Sequence, residues 1–112
     1  MRHGAILKGD IVVVPFPFSD LSNAKRRPAL VVQPYEGEDL LLAQITSRPI
    51  RNEYALLIDE DDFAEGSLQR VSNVRPDKLF TCAKDIIVYR VGRLKQAKID
   101  EVIETIKKLL DK

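Results

Sequence analysis

The chain has 112 residues, 45% of them apolar and 31% charged, with a formal net charge of +1. That length and balance describe one globular domain with a single core, and no apolar run approaches the roughly 18 to 20 residues a spanning helix needs. A near-neutral protein does not grip nucleic acid by bulk charge, so any such contact must come from a local patch.

In chain order, Ile11–Val14 is a β-branched run bounded by Gly9-Asp10 and by Pro15 and Pro17, which predicts a first strand. Ser19 to Arg27 is polar and rich in turn formers, so it predicts a loop. Ala29–Val32 predicts a second strand, Leu40–Thr46 a third and Tyr54–Ile58 a fourth. Asp59, Glu60, Asp61, Asp62 and Glu65 then form an acidic stretch read as a solvated loop. Ser67–Val74 is expected to be a fifth strand, PDKLFTCAK a turn with a short helical piece, and Asp85–Val91 a sixth strand ending at Gly92. In the last segment Ile99, Val102, Ile103, Ile106, Leu109 and Leu110 recur at three- and four-residue steps, the pattern of one apolar helix face. Lys107 and Lys108 near its end suit the helix dipole. Short strands broken at such spacing predict a small, mostly antiparallel barrel or curled sheet with a closing helix.

The chemistry-bearing residues exclude several mechanisms. The chain has one cysteine and one histidine. An internal disulfide and an ordinary zinc cluster are therefore excluded, and a reducing, cytoplasmic setting is the expectation. The N-terminus has no long apolar stretch, so no secretory signal is expected. His3, near that terminus, is a poor candidate for acid–base catalysis, and Cys82, close to Lys84, has no positioned base. The scattered glycines form no phosphate loop, so no nucleotide cofactor is expected.

Arginines and hydroxyls at strand ends remain. Arg27-Pro28 opens the second strand, Thr46-Ser47-Arg48-Pro49 closes the third, and Arg75-Pro76-Asp77 is a third Arg-Pro step. Proline biases the residue before it toward an extended conformation, which stiffens each arginine's backbone. Singly, each arginine reads first as a solvated charge at a strand end, and Thr46 as an ordinary strand or turn hydroxyl. As a set they fit a phosphate: guanidinium groups match its oxygens bidentately, and hydroxyls donate to them. A metal-free group of Arg27, Thr46 and Arg75 would stabilise the charge that develops when an RNA 2′-hydroxyl attacks its own phosphodiester.

GDIVVVPFPFSDLSNAKRRPALVV, AQITSR and SNVRPDKLFTCAKDIIVYRVGRL, in that order, resemble the MazF/PemK family of toxins from toxin–antitoxin modules. The resemblance runs from Gly9 to Leu94 and on into the terminal helix. It implies an SH3-like small β-barrel of about six to seven strands with a C-terminal α-helix, in one domain spanning residues 1–112 and usually a homodimer. It also implies a ribosome-independent endoribonuclease that cuts single-stranded RNA at short sequences without a metal, and an antitoxin that blocks the RNA groove. Carried over residue by residue, the catalytic positions fall on Arg27 and Thr46, with Arg75 and Asp77 as an Arg-x-Asp pair ahead of Thr81. Asp77 is the candidate base. Lys25, Arg26, Ser47 and Arg48 would contact RNA, and Phe16 or Phe18 would either stack on a base or fill the core. The same fold also hosts non-catalytic relatives that poison DNA gyrase, and an inactive interaction module is the third alternative. The cut-site preference is expected to depend on the loops around residues 15–25 and 47–53.

Overall fold

The computed structural model describes residues 5–16 and 25–112. Within them lie seven strands: β1 (Asp10–Phe16), β2 (Lys25–Pro34), β3 (Asp39–Thr46), β4 (Leu56–Ile58), β5 (Phe63–Gly66), β6 (Ser72–Ala83) and β7 (Tyr89–Leu94). One α-helix, α1 (Gln96–Leu110), follows them, and 3-10 turns occupy Glu60–Asp62 and Lys84–Ile86. No described helix is long and apolar enough to cross a membrane.

All the strands pair antiparallel, in the order β4-β6-β3-β2-β1-β7-β5. β4 and β5 are consecutive in the chain yet occupy opposite edges, joined only by residues 59–62. That link reaches about 18 Å at full extension, whereas the edges of a flat seven-stranded sheet would stand roughly 29 Å apart. The sheet must therefore curl. The result is the expected mainly β architecture, a curled half-barrel with one C-terminal helix.

Strand alternation sends apolar side chains to both faces. On one face Ile11, Leu30, Ala43, Ile45 and Val74 meet Ile99, Val102 and Ile106 of α1. Each buried aliphatic residue of the helix contributes roughly 1.5–3 kcal/mol of transfer free energy. Ile103 and Leu109 are half-buried, but Leu110 is 68% exposed, so the apolar face ends one residue earlier than the periodicity predicts. On the other face Val12, Val14, Ala29, Val31 and Leu42 pack with Phe16, Cys82 and Ile87.

Several predicted elements differ, beginning with residues 25–27, expected as loop, which instead open β2. The fourth strand begins only at Leu56, because the Asn52 side chain accepts the Tyr54 N–H at 2.8 Å and turns the chain there. Residues 67–71 are a turn, and β6 instead runs through the expected turn and helical piece to Ala83. Pro76 is accommodated at an irregularity: Ala43 faces Leu79 while Gln44 faces Arg75, so Pro76, Asp77 and Lys78 form a bulge. The predicted sixth strand starts at Tyr89, because Lys84–Ile86 forms a 3-10 turn first.

The acidic stretch is more structured than a solvated loop. Asp59 accepts the Asp61 N–H at 2.9 Å, and Asp62 accepts the Asp59 N–H at 2.9 Å, a reciprocal cap on the turn that joins the two sheet edges. Asp62 also lies 3.9 Å from Lys98 of α1.

Gly9 has φ +94°, and a Cβ there would meet Ile99 Cδ1 at 2.2 Å. Gly37 has a similar φ of +90° with open space around it. Gly37→Ala is expected to lose only the backbone term, roughly 1–2 kcal/mol. Gly9→Ala adds overpacking against the helix, for a loss of about 2–4 kcal/mol. Urea unfolding of the two variants checks this, and equal losses would show that Ile99 does not press on β1.

Candidate functional site

β1 and β2 pair with Val14 opposite Arg27, and β2 and β3 pair with Ala29 opposite Gln44. The β2–β3 ladder stops there, next to Pro28, which has no N–H to donate. Continuing its register by two residues sets Arg27 opposite Thr46, where the strands part. Residues so opposed have Cβ atoms about 5 Å apart in a regular ladder. Thr46 faces Asn73 of β6, and Arg75, two residues on, faces Gln44. Arg27, Thr46 and Arg75 thus occupy one sheet face on three neighbouring strands, with Arg75 diagonal to Thr46. Thr81 faces Leu41, which alternation puts on the opposite face from Arg75.

The polar atoms of this row are prearranged. Thr46 Oγ1 accepts the Arg48 N–H at 3.2 Å, which leaves its own hydroxyl proton free to donate. Asp77 holds Arg75 through Nη2 at 2.9 Å and Nε at 3.4 Å. Asn52 Nδ2 donates to Asp77 Oδ2 at 2.9 Å, so the β3–β4 connection braces the pair. Asn73 Nδ2 donates to the Arg48 carbonyl at 3.4 Å, a second tie between that connection and β6. The same connection is also tied to the chain beyond α1, where Lys112 bridges to Glu53 at 3.1 Å and lies 5.0 Å from the Tyr54 ring centroid.

Partial burial works against ionisation of Asp77. Hydrogen bonds from Arg75, its own backbone N–H and Asn52, together with the Arg75 charge, outweigh it and hold the carboxyl below the ordinary aspartate range.

Beside the row opens a cleft of about 650 Å³. Arg27 and Thr46 line it, with Arg26, Pro28 and Ser47, and so do the turn at 67–70 and Tyr89 and Arg90 of β7. Arg75 and Asp77 are not part of its lining. Arg90 reaches buried Asp10 at 3.2 Å and forms a second ion pair with Glu65, which ties β7 to β1 and β5.

Lys25, Arg26, Ser47 and Arg48 are exposed at the strand ends, accessible to a ligand. Phe16 is buried, edge-on to Phe80 with ring centroids 5.0 Å apart. It therefore takes the core alternative and is not available to stack on a base. Phe18 lies outside the described residues. Cys82 is buried too, and that burial, followed by the Asp39 and Asp85 charges, pushes its thiol up to about 11. Lys84 does not make it reactive. Among the described residues no group of three or more His, Cys, Asp or Glu side chains is placed to hold a metal ion.

Sequence reasoning missed Asn52, Asn73, Arg70, Tyr89 and Arg90. Asn52 lies 25 residues from its partner Asp77, and Asn73 lies 25 from Arg48. Only the β3–β6 register reveals those partnerships.

Residues 7–110 match the sequence profile of the PemK-like, MazF-like toxins of type II toxin–antitoxin systems, and the chain belongs to that family. Among solved structures it is similar to an endoribonuclease in complex with its cognate antitoxin from a mycobacterial species (TM-score 0.77, 15% identity, 96% of each chain covered). It is similar as well to an endoribonuclease from a mycobacterial species (TM-score 0.73, 17% identity, 96% of this chain and 93% of that one). A third likeness is to the Mycobacterium tuberculosis toxin MazF-mt6 (TM-score 0.72, 19% identity, 91% of this chain and 96% of that one). At these identities the structural likeness establishes the fold. A search of curated proteins returns no significant match.

Because the folded-state pKa of Asp77 is depressed, its charge stabilises the fold above the ordinary value of 3.8, and that contribution is lost as pH falls through the folded value. Asp77→Asn is expected to cost up to about 1 kcal/mol, constant from pH 8 to 5 and shrinking only below about pH 4. Urea unfolding at a series of pH values measures it, and a cost that disappears already at pH 6 would contradict the assignment. Cys82 in the folded protein is expected to react with iodoacetamide at pH 8 on the order of a hundredfold more slowly than in urea. Equal rates would mean that its thiol is not held protonated.

Proposed function

We propose that this toxin is a metal-independent endoribonuclease that cuts single-stranded RNA, mRNA above all, at short sequences in the cytoplasm. The observation that carries the reading is that Arg27 and Thr46, on adjacent strands just past the last paired residues of the β2–β3 ladder, line one open cleft. Family membership and the likeness to endoribonuclease toxins support it.

In this reading the 2′-oxygen of one nucleotide attacks the adjacent phosphorus, and the bond from phosphorus to the 5′-oxygen breaks. The 2′-hydroxyl proton leaves and the departing 5′-oxygen gains one, so the products are a 2′,3′-cyclic phosphate and a 5′-hydroxyl. Arg27 and the free Thr46 hydroxyl proton stabilise the charge that builds on the non-bridging oxygens. Arg75 adds a second guanidinium from the next strand. The lowered pKa of Asp77, and its lone pairs already engaged by Arg75 and Asn52, favour a positioning role for it over that of the base. Lys25, Arg26, Ser47 and Arg48 contact the RNA backbone. The protein acts as a homodimer, and a cognate antitoxin silences it by covering the cleft.

Purified protein is expected to cleave a long single-stranded RNA in the presence of EDTA and to leave cyclic phosphate ends. Arg27→Ala should lower the rate by on the order of a hundredfold or more while circular dichroism is unchanged. Undiminished cleavage by Arg27→Ala would refute the mechanism. Absence of cleavage by the unaltered protein, with inhibition of DNA supercoiling instead, would favour the non-catalytic gyrase-poisoning alternative.

A further inference from the structure

The cleft beside Arg27 and Thr46 has a composition that the cleavage chemistry alone does not require. Its charged lining residues are Arg26, Arg27, Arg70 and Arg90, and no carboxylate lines it. Of these, Arg90 is neutralised by Asp10 and Glu65. Arg26, Arg27 and Arg70 have no ion-pair partner among the described residues. On a chain whose net charge is +1, three arginines without an ion-pair partner give one opening a positive lining, although Arg70 also borders a neighbouring cleft with Asp59, Glu60 and Asp61.

Two further features point to the class of ligand. Tyr89 lies at the cleft with 51% of its surface exposed, although a large aromatic ring is ordinarily sheltered. An exposed ring beside unpaired arginines is what a nucleobase and its phosphate require together. The turn at residues 67–70 also lines the cleft, and it is held in an uncommon conformation. Gln69 is the only non-glycine residue with positive φ among the described residues, at 66°. The turn is locked from within: the Gln69 N–H donates to Ser67 Oγ at 3.0 Å, and Ser72 Oγ donates to the Arg70 carbonyl at 3.1 Å. Non-glycine residues in that region persist where the surrounding structure holds them, and they cluster at ligand sites.

We infer that this cleft is the subsite for a nucleotide flanking the scissile phosphate, with Tyr89 as its stacking platform and Arg70 as its phosphate clamp. Gln69 stands beside them with an amide that can both donate to and accept from a base edge. The turn at 67–71 therefore contributes to the choice of cut site, in addition to the loops around 15–25 and 47–53. Arg90, held by Asp10 and Glu65, positions the strand that carries Tyr89. This inference rests on the proposed endoribonuclease activity.

The test uses the full-length protein, a long single-stranded RNA whose cut sites are mapped by sequencing, and a short fluorescent oligonucleotide of a mapped site. The oligonucleotide carries a 2′-deoxy nucleotide at the cut position, so it binds without being cleaved. Tyr89→Ala is expected to weaken binding on the order of tenfold or more, and Tyr89→Phe to restore it. Arg70→Ala should weaken binding and reduce its salt dependence by about one phosphate contact. Gln69→Ala should broaden the set of mapped cut sites. If the unaltered protein cuts RNA but Tyr89→Ala and Arg70→Ala leave affinity and cut sites unchanged, the subsite is refuted and the endoribonuclease reading stands. If they alter only the binding of an acidic polypeptide such as polyglutamate, the cleft belongs to a protein partner and the inference is overturned. If the unaltered protein neither binds nor cuts RNA, both readings fall.

Discussion

A proline in a ladder removes a donor, and that constraint organises the working end of this molecule. Each of the three Arg-Pro steps lies where sheet pairing changes. At Pro28 the β2–β3 ladder ends, and β2 goes on against β1 alone. At Pro76 the β3–β6 register breaks into a bulge. Arg48-Pro49 follows the last residue of β3. The arginine before each proline is thus fixed by the strand or bend it belongs to, while its side chain stands where neighbouring strands no longer fill the space. The bulge has a second effect, because it throws Asp77 outward to meet Arg75 and Asn52. A straight β6 would alternate Arg75 and Asp77 along one face about 7 Å apart at the backbone, with less reason to meet.

The curl of the sheet has its own enforcing device. Because β4 and β5 lie at opposite edges with only a capped turn between them, the chain closes the half-barrel through residues 59–62. The acidic run that reads as a solvated loop is the material of that closure. Asp59 and Asp62 cap the turn, and Glu65 receives Arg90. Negative charge is therefore spent largely on the frame, although Asp59, Glu60 and Asp61 line a neighbouring cleft together with Arg70. This partial segregation lets a chain with almost no net charge carry a locally positive opening.

Much of the frame was legible in the sequence because periodicity reports burial. β1, β2, β3 and α1 carry β-branched runs or a clear helical stripe, and the structure keeps each of them. β5 was not legible: Phe63-Ala64-Glu65-Gly66 has little strand propensity and pairs because glycines 66 and 92 let the two backbones approach closely. β6 was misread because Pro76 and Asp77 are turn formers, and only a bulge allows a strand to cross them. The site divides the same way. Arg27, Thr46 and Arg75 stood out because each lies beside a proline or a strand end in the sequence itself. Asn52, Asn73 and Tyr89 did not, since their importance comes from pairings between residues far apart in the chain. Local chemistry marks a residue as capable, and register decides whether it has company.

The arginines separate by the same physical criterion. A guanidinium already bound to carboxylates on two sides has its fork occupied and its charge compensated, so it serves the frame, as Arg90 does with Asp10 and Glu65. One held by a single carboxylate is oriented but keeps donors to spare, as Arg75 is with Asp77. One with no ion-pair partner among the described residues carries its whole charge toward whatever approaches, and Arg26, Arg27 and Arg70 all do so at the rim of one cleft. In the free protein the mutual repulsion of those three charges is an energetic cost, moderated by water and salt. A bound anion would offset that repulsion, which is the electrostatic basis of the proposed phosphate subsite.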